Sequence, residues 1–149
     1  EVQTVSALGA IVAGAAGAFG LVRAGAQDGP AAPRQKVVYH VDDVEKVTEA
    51  LANLRNHIIG TGGPGKADLK VVINGPALKM FHTKGADARV TSAVDMLTQS
   101  GVRFEACRNT MRGQEVTLAD LLPGFVEIEK GGVVRIAELQ MQGYAYIKP

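Results

Sequence analysis

The chain has no tryptophan, and its remaining aromatics are four Phe and three Tyr. That leaves little surface for stacking bases or sugars. It also lacks a surplus of charge of either sign, with sixteen Lys and Arg against fifteen Asp and Glu and a net charge of +1. Neutralising several phosphates requires a basic excess, so nucleic acid is not an expected partner. Cysteine is almost absent, and the single Cys107 rules out an intrachain disulfide. Paired ligand spacing is missing as well. His40, His57, His82 and Cys107 form neither C-x-x-C nor H-x-x-x-H, so we expect no metal site and no cofactor.

What is present divides the 149 residues into an appendage and one domain-sized remainder. Residues Val5 to Val22 carry no charge, and ten of these 18 are Ala or Gly. As a helix the stretch would be about 27 Å long, near the thickness of a bilayer core. Its small residues weaken the drive for insertion. Val5, Leu8, Val12, Phe19 and Val22 would share one helical face and Gly9, Ala13, Gly17 and Gly20 another, a spacing that permits close helix packing. Three readings follow for residues 1–26: the back half of an export signal, with an Ala/Gly-rich core similar to that of a twin-arginine signal; an assembly helix; or a membrane anchor touching lipid through residues 5–22. The first implies an exported, periplasmic protein. Residues 27–35, rich in Gly, Pro and Ala, read as a linker, which leaves 36–149 as the folded domain.

From Lys36 onward short apolar runs alternate with amphipathic stretches, the pattern of a parallel α/β sheet. Strands are expected at Lys36–Val41, Leu69–Asn74, Val102–Ala106, Phe125–Glu129 and Tyr144–Ile147. After the first, Asp42 or Asp43 can cap a helix whose inward stripe is Val44, Val47, Leu51, Leu54 and Ile58. A short helix should reach Phe81, and a longer one should run from Asp87 to Ser100 with Val90, Val94 and Leu97 inward. Thr117 caps a further short helix, and Gly131-Gly132 turns into a last one ending near Gln142.

Gly60-Thr61-Gly62-Gly63-Pro64-Gly65-Lys66-Ala67 meets part of a phosphate-loop pattern. Ala67 stands where Ser or Thr would hold magnesium, and the segment leads from helix to strand, the reverse of the required order. It reads as a connection.

His40, Asn74 and Cys107 each fall near the carboxyl end of a strand, where parallel sheets place their ligand crevice. Arg108 and Arg112 follow the cysteine closely, and positive charge favours thiolate, the reactive form, over thiol. A reactive thiol and a buried structural cysteine both fit these residues. We group His40, Asn74, Arg108, Asn109, Thr110 and Arg112 as candidate substrate-binding or thiolate-supporting residues around Cys107.

The runs Phe104-Glu105-Ala106-Cys107-Arg108-Asn109-Thr110-Met111, Leu121-Leu122-Pro123-Gly124 and Leu139 to Pro149 resemble exported members of the DsrE/DsrF-like sulfur-relay family. The resemblance spans roughly Lys36 to Pro149. It implies a single-domain, flavodoxin-like (DsrE-type) parallel sheet of about five strands flanked by helices, commonly assembled into trimers or hexamers. It also implies a cysteine, here Cys107, that carries sulfane sulfur as a persulfide without a cofactor. With no second cysteine, the sulfur donor or acceptor would be a protein or a small thiol. The alternative is a self-assembling ring or filament subunit without catalysis, built through the N-terminal helix.

Overall fold

In a computed structural model that describes residues 33–149, the valine-rich runs become the central strands of a sheet, buried on both faces, with partly exposed strands at the edges. The strands are β1 (Gln35–Val41), β2 (Ala67–Ile73), β3 (Arg103–Cys107), β4 (Phe125–Ile128) and β5 (Ala145–Ile147). They form one parallel sheet in the order β4-β3-β2-β1-β5. The fold is thus the expected flavodoxin-like α/β type, five strands flanked by helices. The expected N-terminal helix of residues 1–26 lies outside the described residues, as does most of the linker. Among the described residues no helix is long and apolar enough to cross a membrane.

Strand order dictates helix placement. From β1 to β4 the chain steps in one direction, so right-handed crossovers put α1 (Val47–Gly60) and α2 (Ala88–Gln99) on one face. From β4 it must return across the sheet to β5, which puts α4 (Gly132–Met141) on the other face. The side chains record the division. Val37, Tyr39, Val41, Val71 and Ile73 join Leu51, Leu54, Val90, Val94 and Leu97 in the larger core. Val38 and Val72, which alternate with them, pack instead with Ile136 and Leu139 of α4 and with Tyr144.

Of the two expected caps, Asp42 and Asp43, it is Asp43 that accepts the capping hydrogen bond, from the Glu45 N–H at 2.9 Å. The residues it caps, Val44–Lys46, form a 3-10 turn, so Val44 leaves the α1 stripe and is 38% exposed. The segment reaching Phe81 is likewise a 3-10 helix, Gly75–Phe81. Arg108–Gly113, where no element was expected, forms a short helix, α3. The Gly60–Ala67 segment joins the end of α1 to the start of β2, and Gly62, Gly63 and Gly65 turn the chain there with positive φ.

At the centre of the larger core, Phe125 lies 5.3 Å from both Phe81 and Phe104, centroid to centroid, and these two lie 6.3 Å apart. Tilted aromatic contacts of this kind add to plain area burial. Phe104 is fully buried on β3, so Phe104→Ala should lower unfolding free energy by about 3–5 kcal/mol in denaturant titrations. A loss below about 1 kcal/mol would show that the cluster is not a packing centre.

Candidate functional site around Cys107

Cys107 is the last residue of β3 and the N-cap of α3, with φ −67° and ψ 119°. The helix therefore begins directly behind the sulfur, and its first backbone N–H groups have no helical acceptor. From the opposite side the first turn of α4 comes down on the same point. A β-carbon on Gly132 would lie 3.2 Å from Val72 Cγ1 and 3.5 Å from both Asn74 Cβ and Cys107 Cβ. One on Gly131, whose φ is +87°, would lie 2.9 Å from Asn109 Nδ2. Only glycine at both positions lets the α4 backbone approach this closely.

Cys107 is 6% exposed, and its burial acts to raise the thiol pKa. Donors outweigh that effect. The N–H groups of Thr110, Gly132 and Asn109, together with the Thr110 hydroxyl, face the sulfur and bring the pKa below the ordinary thiol value. No capping hydrogen bond is closed by the side chain itself. A neutral thiol is a weak acceptor, so such donors favour the thiolate over the thiol. Thr110 is oriented for this role, because its Oγ1 accepts from the Gly75 N–H at 2.9 Å and so keeps its own proton free for the sulfur. The Gly75 carbonyl in turn accepts from Gln114 Nε2 at 3.0 Å, and Gln114 Oε1 pairs with His82 Nε2 at 2.8 Å.

The thiol opens into a cleft of about 300 Å³ lined by Asn74, Asn109, Thr110, Lys130 and the Gly131–Val134 turn. Asn74 connects this cleft to His40. His40 Nε2 lies 2.8 Å from Asn74 Oδ1, and Nδ1 lies 2.8 Å from the Tyr146 hydroxyl. With an amide oxygen as acceptor, Nε2 carries a proton, and the neutral ring then accepts from Tyr146 through Nδ1. Asn74 and Cys107 line one cleft; His40 opens onto an adjoining one of about 380 Å³ that shares Val133 with it.

The two arginines take other positions. The Arg108 guanidinium turns away to Glu127 and to Glu129, the latter at 3.1 Å, because β3–β4 pairing brings those carboxylates beside it. Arg112 is exposed on α3 and does not line the cleft. The groups that lower the Cys107 pKa are hydrogen-bond donors, where the sequence had suggested charge. Asn109 and Thr110 lie beside the thiol, and Gly131, Gly132 and Gly75 were not foreseen near it. The paired glycines opening a helix after a strand were the available signal, read only as a turn. His57 and His82 stand apart, His57 bonding Tyr39 and Gln35. Among the described residues no three His, Cys, Asp or Glu side chains gather as a metal-binding group.

The described residues form a parallel five-stranded α/β domain with one buried cysteine at a strand end. The chain belongs to the DsrE/DsrF-like family, whose model matches residues 29–149. Protein MTH1491 of Methanobacterium thermoautotrophicum, a protein of unknown function, is similar in structure with a TM-score of 0.68 and 32% identity. The match covers 77% of this chain and 99% of that one. The ychN protein from E. coli is similar at TM-score 0.60 and 17% identity, covering 77% of this chain and 99% of its own. BT1422 from Bacteroides thetaiotaomicron, a conserved protein of unknown function, is similar at 0.59 and 16%, covering 77% and 95%. These last two show the fold alone. No curated protein matches the chain.

Thr110→Val keeps the shape of the side chain and removes the hydroxyl donor. It should raise the Cys107 titration midpoint by about one pH unit, the worth of one hydrogen bond to a charged group. Thiolate ultraviolet absorbance read against pH checks this, and an unmoved midpoint would remove the hydroxyl from the site.

Proposed function

We propose that this protein carries sulfane sulfur as a persulfide on Cys107. The observation that carries this reading is the set of donors from α3, α4 and Thr110 converging on one buried sulfur and lowering its pKa. Membership of the DsrE/DsrF-like family, associated with sulfur relay, supports it.

The chemistry needs no group beyond the thiol. The Cys107 thiolate attacks the outer sulfur of a polysulfide or another sulfane donor. A new sulfur–sulfur bond forms to Cys107, the donor's bond breaks, and the shortened donor leaves with the electron pair. In the second half, an acceptor thiolate attacks the outer sulfur of the persulfide and Cys107 departs as thiolate. The donors that favour the thiolate therefore assist both entry and departure, since a lower pKa makes a better leaving group. Cys107 is the chain's only cysteine, so the acceptor is a second molecule, either a protein or a small thiol.

Intact-mass measurement after exposure to polysulfide tests the reading. The protein should gain the mass of one sulfur atom, removable by a small thiol, and Cys107→Ser should gain none. Equal gain in Cys107→Ser, or no gain in the unaltered chain, would contradict it.

A further inference from the structure

Among the described residues Glu105 is the one charged side chain with no exposed surface. It lies on β3 two residues before Cys107 and therefore on the same face of the sheet. Arg135 of α4 grips it with both arms of its guanidinium, Nε to Oε2 at 2.7 Å and Nη2 to Oε1 at 2.8 Å. Arg103, two residues earlier on β3, adds a contact from Nε to Oε1 at 3.0 Å. Both carboxylate oxygens are thus satisfied.

We propose that Glu105 and Arg135 are positioning residues that seat the first turn of α4 on the Cys107 sulfur. The inference rests on the reading of Cys107 as a working thiolate. Gly132 and Arg135 are separated by about 4.5 Å of helix rise, and Glu105 and Cys107 by about 7 Å of strand. The helix runs back along the strand, so Arg135 falls on Glu105 where Gly132 falls on Cys107. A bidentate fork fixes both the rotation of α4 and its height above the sheet, which a greasy contact at the same place would leave free to slide. Such control matters here because the Gly132 N–H is useful only while the backbone sits against Asn74 and Cys107. A buried ion pair is otherwise a poor device for stability, since apolar residues of similar volume commonly serve as well.

The other charged groups near the thiol are committed elsewhere. Arg108 is held by Glu127 and Glu129, and Lys130 by Glu138 at 2.8 Å. His40 stands behind Asn74. Arg103 belongs to β3 itself and does not tie α4 down, which makes it the control.

The experiment is a thiolate absorbance titration of the unaltered chain, Arg135→Gln, Arg135→Lys, Glu105→Gln and Arg103→Gln, each alongside a thermal unfolding curve. Arg135→Gln and Glu105→Gln should move the midpoint upward by about one pH unit, a tenfold loss of thiolate at a fixed pH below both midpoints. Arg135→Lys, a point charge without the fork, should move it part of the way and keeps the test available if Arg135→Gln does not fold. Arg103→Gln, which removes the same charge, should leave it in place. Arg135 variants that unfold at lower temperature but titrate with the unaltered chain would overturn the inference and leave the thiolate reading standing. An equal shift in Arg103→Gln would overturn it in favour of bulk charge. An unaltered chain that titrates at the ordinary thiol value would overturn both.

Discussion

The whole arrangement depends on how the chain gets from β4 to β5. These strands occupy opposite edges of the sheet, so the connection crosses an entire face, and α4 is the helix that makes the crossing. Starting just past β4, it begins above the carboxyl ends of β3 and β2 and ends beyond β1. Its first N–H groups are thereby delivered to the end of β3, where the strand itself ends on a cysteine that opens α3. Two helix starts meet at one sulfur because of strand order, and each contributes donors that no carbonyl within its own helix can use. The steps from β1 to β4, all on the other face, supply the apolar mass packed against the sheet behind the site.

Energetically the site balances two opposed effects. Taking the sulfur out of water penalises the thiolate, and the facing donors restore it with a surplus. Each pH unit of downward displacement corresponds to about 1.4 kcal/mol in favour of the charged form. An exposed cysteine with neighbouring arginines would reach a similar displacement through charge, but one sensitive to salt. Backbone donors fixed by secondary structure are less easily screened, and they leave the cleft free of carboxylates that would repel an anionic donor. The glycines at positions 131 and 132 are the sequence's contribution, because residue 131 needs a positive φ and a β-carbon at 132 would press on Val72 at 3.2 Å.

Much of the fold was legible because burial on both faces forces apolar runs, as in Val37 to Tyr39 and Val71 to Ile73. The inward stripe of α2 at Val90, Val94 and Leu97 was equally plain. Strand order had no local signature, and with it went the placement of α4. The six residues of α3 are too few to show a period, and cysteine is not a usual cap, so no helix was expected at Arg108–Gly113. Val44 misled because its spacing matches the stripe, while the Asp43 cap winds that first turn as 3-10. Arg108 misled for a different reason. Sequence adjacency placed its charge by the thiol, but Glu127 and Glu129 arrive through β3–β4 pairing and claim it. His40 and Asn74 were placed correctly at strand ends, and their hydrogen bond to one another follows from β1 and β2 being neighbours.

The central claim is that the native fold holds the Cys107 thiol pKa below its value in the unfolded chain. Linkage makes this a question of stability. A thiol whose pKa is lower in the folded state than in the unfolded chain, where it lies near about 8.5, stabilises the fold fully above that unfolded value. The contribution disappears as pH falls through the folded value. The most direct measurement is therefore denaturant unfolding of the unaltered protein and of Cys107→Ser across this range. The account predicts that the unaltered chain gains stability over the serine variant as pH rises from neutral and that the gain levels off above the unfolded thiol value. A difference that stays flat, or that shrinks with rising pH, would show that burial outweighs the donors and that Cys107 is held as a neutral thiol.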